Sequence, residues 1–105
     1  MVIGQPYNPW RRFHGAFTPN WLLRRPELTP GAKLCFARLA QYAGRDGLCH
    51  PNIDTLASEI GASRRQTDRY LAELKRFELI SAKRRTIGHT NRYSFLWHSW
   101  AEGEE

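Results

Sequence analysis

The sequence predicts a mainly α-helical single domain with a small β-hairpin toward its C-terminal end. Three observations point there. The chain has 105 residues, about the size of one domain. Segments beginning after Thr29, Asn52 and Ser63 each open with a capping residue and then space apolar side chains three and four apart. Beyond them, two runs of β-forming residues flank a loop containing Gly and Asn, the pattern of a hairpin.

Composition narrows the class. Hydrophobic residues are 41% and charged residues 25%, enough for one modest core. No apolar run approaches the ~20 residues of a membrane span, and no charged-then-apolar leader opens the chain. A cytoplasmic protein without a membrane partner is expected. The net charge of +6 draws such a domain to polyanions. The charge is uneven. Residues 1–50 hold seven Lys/Arg against two Asp/Glu, 51–78 five against five, 79–92 four against none, and 93–105 none against three.

Residues 1–17 are expected to form an irregular arm, mixing Trp10, Phe13, Arg11, Arg12 and His14 between and after Pro6 and Pro9. Thr18 then caps a short helix with Pro19 at its first position, and Pro26 stops it. The first long helix repeats this grammar with Thr29 and Pro30. Ala32, Cys35, Phe36, Leu39, Tyr42 and Ala43 share its apolar face, with Lys33, Arg38 and Gln41 opposite. Leu34 falls on the polar face and is expected to pack against the arm, on Trp10, Phe13 or Trp21. Gly44 ends the helix and Asp46-Gly47 turns the chain.

The second helix is short. Asn52 caps it, Ile53, Leu56, Ala57 and Ile60 form one stripe, and Gly61 follows its end. Only Ala62 separates it from Ser63. Ser63 and Gln66 make a capping box for the third helix, residues 64–77. Thr67, Tyr70, Leu71, Leu74 and Phe77 face the core; Arg65, Arg69, Ala72 and Arg76 face away. Tyr70 is expected in the core rather than as a base-stacking platform. Residues 79–83 and 92–97 read as strands, with Tyr93, Phe95 and Trp97 alternating onto one face. The domain is thus expected to span 18–98, followed by an acidic tail, 99–105, whose last five residues are disordered.

Two short helices joined by a tight turn can hold the second helix proud of the surface, where B-DNA's major groove admits it. The candidate contacts at its entering end are Ser63, Arg64, Arg65, Gln66, Asp68 and Arg69, with Arg76 further along. Arginine suits guanine and glutamine suits adenine. Asp68 is either a negative selector or, by preference, a partner of Arg65 three residues back. A basic wing, 83–92, offers Lys83, Arg84, Arg85, His89, Thr90, Asn91 and Arg92 to the backbone or minor groove. His89 and Asn91 fit a hairpin turn equally well. For the arm, packing or dimerisation is preferred over stacking on single-stranded bases.

Enzyme chemistry is not expected. The chain has no Gly-rich phosphate loop and no nucleophile with a base at recognisable spacing. Cys35 reads as a small buried hydrophobe, and neither it nor Cys49 has a partner at zinc-ligand spacing. Catalytic residues, metals and cofactors are therefore all read as none.

The order of these pieces resembles the winged helix-turn-helix domains of phage and plasmid replication initiators and related transcriptional regulators. The matching stretches are Phe17 to Leu23, Leu28 to Leu34, Gly47 to Asn52, Leu56 to Gly61, Ser63 with Arg65 and Arg69, Leu71 to Leu74, Leu79-Ile80, Arg84-Arg85 and Thr90 to Tyr93. Two departures stand out: Glu78 where that family usually has Gly, and Gln66-Thr67 where it tends to carry Thr-Val. The resemblance implies a winged helix-turn-helix fold and sequence-specific double-stranded DNA binding, in transcription regulation or replication initiation of a mobile element. A homodimer or larger nucleoprotein assembly would fit. The alternative is a protein-protein interaction module within such an assembly.

Overall fold

The computed structural model describes residues 1–44, 47–84 and 91–104. In chain order it contains α1 (Pro9–Arg12), α2 (Asn20–Leu23), α3 (Pro30–Ala43), β1 (Leu48–Cys49), α4 (Ile53–Ile60), α5 (Arg64–Arg76), β2 (Ile80–Lys83), β3 (Arg92–Phe95) and a 3₁₀ turn, Ser99–Ala101. Helices α3, α4 and α5 pack together around Leu39, Leu56, Leu71 and Leu74, and the sheet closes that core with Ile80 and Tyr93. The architecture is the expected one, mainly helical with a small antiparallel wing.

The helix starts follow local chemistry. Thr29 Oγ1 accepts from Ala32 N–H at 3.2 Å, and Asn52 Oδ1 accepts from Asp54 and Thr55. Each satisfies backbone donors that the first turn leaves free. Helix α2 differs from expectation: it starts at Asn20, and Pro19 rather than Thr18 is the capping residue, with no side-chain bond. Its first turn instead closes on the Pro19 carbonyl.

Helix α3 buries Ala32, Cys35, Phe36, Leu39 and Ala43 as its spacing dictates. Tyr42 is a correction. It lies at the edge of the face, exposed, with the Arg38 guanidinium 4.9 Å from its ring centre. Leu34 is another: it stays exposed, while Trp21 meets Phe36 edge-on and Trp10 and Phe13 stay in solvent. Burial pushes the Cys35 thiol up to about 12, with Cys49 adding to it, and the Cys49 thiol up to about 11. Both therefore stay protonated near neutral pH and pack as small apolar groups.

The sheet has three strands, in the order β1-β3-β2, where a two-stranded hairpin was expected. Strand β1 sets Leu48 opposite Ser94 and Cys49 opposite Tyr93. Strand β2 sets Ile80 opposite Phe95 and Lys83 opposite Arg92. The regular pairing of β3 ends at Phe95, so Trp97 leaves the alternation, becomes exposed and donates its indole N–H to Glu102. The turn expected at Asp46-Gly47 lies partly outside the described residues.

Both ends of the chain depart from expectation. The arm contains one helical turn, α1, because Asn8 caps it and Pro9 sits at its first position. The tail is docked rather than disordered through Glu104. Ala101 is buried, Trp100 packs on Phe77 and His98, and Arg24 pairs with Glu104.

Candidate nucleic-acid interface

The turn between α4 and α5 sets the geometry of the candidate interface. Gly61 takes a left-handed backbone, φ 72°, where a side chain would be strained. It lets Ala62 N–H reach back to Ala57 and Gly61 N–H to Ser58, so α4 stops cleanly. Two residues later the capping box starts α5: Ser63 Oγ accepts from Gln66 N–H, and Gln66 Oε1 accepts from Ser63 N–H. The stop of α4 and the start of α5 are thereby fixed by residues close in sequence.

Three links hold α5 in place. Thr67, Leu71 and Leu74 are buried beneath it. The Tyr70 ring, half-buried, lies over Gly31 so closely that a Cβ at Gly31 would sit 2.0 Å from Tyr70 Cζ. Tyr70 thus packs the helices, as expected. The Glu73 carboxylate accepts from the Thr29 N–H and hydroxyl at 2.6 and 2.8 Å, tying α5 to the start of α3. Sequence reasoning missed this clamp, which joins residues 44 apart.

The candidate residues divide into engaged and free. Ser63 and Gln66 are spent on the cap: Gln66 Oε1 also accepts from Ser63 Oγ, so bidentate adenine recognition would require the box to open. Arg64 bridges α4 to α5, 3.1 Å from Asp54 and 3.5 Å from Asp68. The Asp54 hydrogen bond is the chief cause holding its guanidinium further above its ordinary range. Asp68 therefore pairs with Arg64 four residues back, not with Arg65, because i,i+4 spacing sets those side chains over one another. That leaves Arg65 and Arg69, both exposed and without an acidic partner among the described residues.

Arg76 shares their stripe but stands about 16 Å further along the axis from Arg65. It lies over the Phe77 ring at 5.6 Å. A cleft of about 620 Å³ runs past Arg69, Ala72 and Arg76, edged by Glu27 and Glu73. Those carboxylates make the C-terminal half of α5 less welcoming to phosphate than the N-terminal half. At the N-terminus the Arg64 and Arg65 amides are unpaired among the described residues, a setting that favours an anion.

Helix α5 ends at Arg76 with Phe77 as its cap, and Glu78 just beyond takes φ 59° in place of the glycine usual there. Leu79 N–H still bonds Leu74, and Glu78 N–H bonds Lys75, so the same closure forms at a cost in strain. The wing strands then start in position. Lys83 and Arg92 stand directly opposite each other across β2 and β3, and Arg84 follows, all exposed. Like charges set opposite in a sheet repel, so this pair is better placed beside an anion than in solvent. Asn91 is half-buried and its side chain bonds the Tyr93 hydroxyl, opposing the upward pKa shift that burial gives that phenol. Arg85, His89 and Thr90 lie outside the described residues. Among the described residues no group of three His, Cys, Asp or Glu gathers as metal ligands would.

A family model described as a helix-turn-helix domain matches residues 27–80. Two solved structures share the fold, both at 15% identity. One is described as the N-terminal domain of a DNA-binding protein, with TM-score 0.63 over 90% of this chain and 84% of that one. The other comes from a Rep–DNA complex, with TM-score 0.62 over 89% and 84%. A search of curated protein sequences gave no match. No helix among the described residues is long and apolar enough to cross a membrane.

Proposed function

We propose that this chain, which belongs to the helix-turn-helix domain family, binds double-stranded DNA, with α5 entering the major groove and the wing resting on the backbone or minor groove. The observation that carries this is a set of exposed cations without acidic partners among the described residues: Arg65 and Arg69 on α5, and Lys83 opposite Arg92 on the wing. Both surfaces stand on regular elements, a helix and a strand pair, that pack on the common core. The role is binding rather than catalysis, in the cytoplasm. The likeness to a chain solved in a Rep–DNA complex supports replication initiation over transcription regulation.

Within this scheme Arg65 and Arg69 read base edges while Lys83, Arg84 and Arg92 hold phosphates. Arg64 fixes the angle between α4 and α5. Selection from a random duplex library at physiological salt tests the scheme. An enriched motif is expected; a palindrome in it would imply a homodimer, and direct repeats would favour an initiator. Arg69→Ala should cost about 1–3 kcal/mol on the preferred site and relax its specificity, while Lys83→Ala weakens all duplexes alike and lowers the salt slope by about 1. Equal, sequence-blind losses for both variants would overturn base reading. A bound pool without a motif, lost at ~0.2 M salt, would favour the protein-interaction module instead.

A further inference from the structure

Residues 1–17 take no part in the duplex surface just described, and every one of them is exposed. The radius of gyration, 15.2 Å, exceeds the ~13 Å of a compact chain this long, as a projecting arm requires. Its aromatic side chains are costly to leave in water: Trp10 is 90% exposed, and Phe13 and Phe17 are each 69% exposed. Yet the segment is locally built. Asn8 caps the turn that carries Trp10, and Tyr7 meets Phe13 edge-on at 5.8 Å. A cleft of about 780 Å³ opens between these groups, lined by Pro9, Trp10, Phe13, His14, Phe17 and Thr18.

Charge decides what can fill it. Residues 1–26 contain four arginines and no acidic residue. Arg24 pairs with Glu104 and Arg25 lies over Trp100, but Arg11 and Arg12 have no partner among the described residues. A second copy of this chain, at net +6, is a poor match for that segment. An anionic polymer is a good one. Aromatic faces beside free arginines bind unstacked bases, and a duplex keeps its bases stacked inside. We propose that the arm is a single-stranded DNA site, with one or two unpaired bases seated in the Trp10–Phe13–Phe17 cleft and neighbouring phosphates on Arg11 and Arg12. This goes beyond duplex binding and does not depend on it.

Fluorescence anisotropy with a labelled twelve-nucleotide oligo-dT, a duplex and an oligo-U of equal length tests the site. The double variant Trp10→Ala, Phe13→Ala should bind oligo-dT about tenfold more weakly, with duplex affinity unchanged within about twofold. Trp10→Phe, which keeps a stacking face, should retain most of the affinity. Arg11→Ala with Arg12→Ala should flatten the salt dependence on oligo-dT alone. Unchanged oligo-dT binding in the aromatic variant would overturn the proposal, and so would an equal loss on the duplex. Tighter binding of oligo-U would move the ligand to RNA and overturn it. Sedimentation showing a dimer that Trp10→Ala dissociates would assign the arm to a second copy, and overturn it too.

Discussion

The two segments that flank the helical core, residues 1–17 and 98–104, both carry tryptophan and charge, and they end in opposite states. Trp10 stands 90% exposed on the arm, while Trp100 packs between Phe77, His98 and Arg25. The tail has groups that complement the core. His98 Nδ1 accepts from Trp100 N–H at 3.0 Å, which leaves Nε2 to donate to the Phe77 carbonyl at 2.9 Å. That carbonyl is one that the end of α5 leaves free. Glu104 also meets Arg24. The arm has cations and aromatic faces, but no acid and no bond to the core among the described residues. Hydrophobic content alone therefore does not dock a segment; partners for its polar groups do.

The widest test of this contrast is to remove each segment. Deleting residues 99–105 should destabilise the fold by about 2–4 kcal/mol in urea titration, from lost burial of Ala101 and Trp100. Deleting residues 1–17 should move stability by no more than about 0.5 kcal/mol. A large loss from the arm deletion would erase the distinction. His98→Ala sharpens it at one residue. Losing both its hydrogen bonds should cost about 1–2 kcal/mol and loosen the end of α5 in hydrogen exchange.

Smaller effects separate strain from docking at the same place. Glu78→Gly should stabilise by about 0.5–1 kcal/mol by relieving the left-handed backbone, visible as a raised urea midpoint. If instead it destabilises, Glu78 makes a contribution that the strain does not account for. Arg24→Ala should cost about 0.5 kcal/mol or less and become silent in high salt, since that ion pair is largely exposed. A larger loss would mean that the pair, more than Trp100, holds the tail.

How much of this was legible follows from how far apart the partners lie. The capping box of Ser63 and Gln66, the caps at Thr29 and Asn52 and the stop at Gly61 join residues within five positions of one another. Strand β1 was not legible, because two residues carry no periodicity; only their pairing with β3, some 45 residues on, makes them a strand. Within the candidate site, the stripe of Arg65, Arg69 and Arg76 was evident from helical spacing. Its division was not. Asp54 claims Arg64 from the neighbouring helix, and so leaves Arg65 and Arg69 as the free pair.

The sequence by itself determined where α3, α4 and α5 start, which face of each is apolar, that arginines line the other face of α5, and that uncompensated positive charge lies in the N-terminal half and in residues 79–92. Those properties depend on spacing within a turn or two, or on counting charges. Tertiary structure decided what each exposed group is free to do. It tied Glu73 to Thr29, set Lys83 against Arg92, docked Trp100 and left Trp10 in water. Each outcome rests on a contact or its absence between segments distant in the chain, and local preference holds no information about such distances.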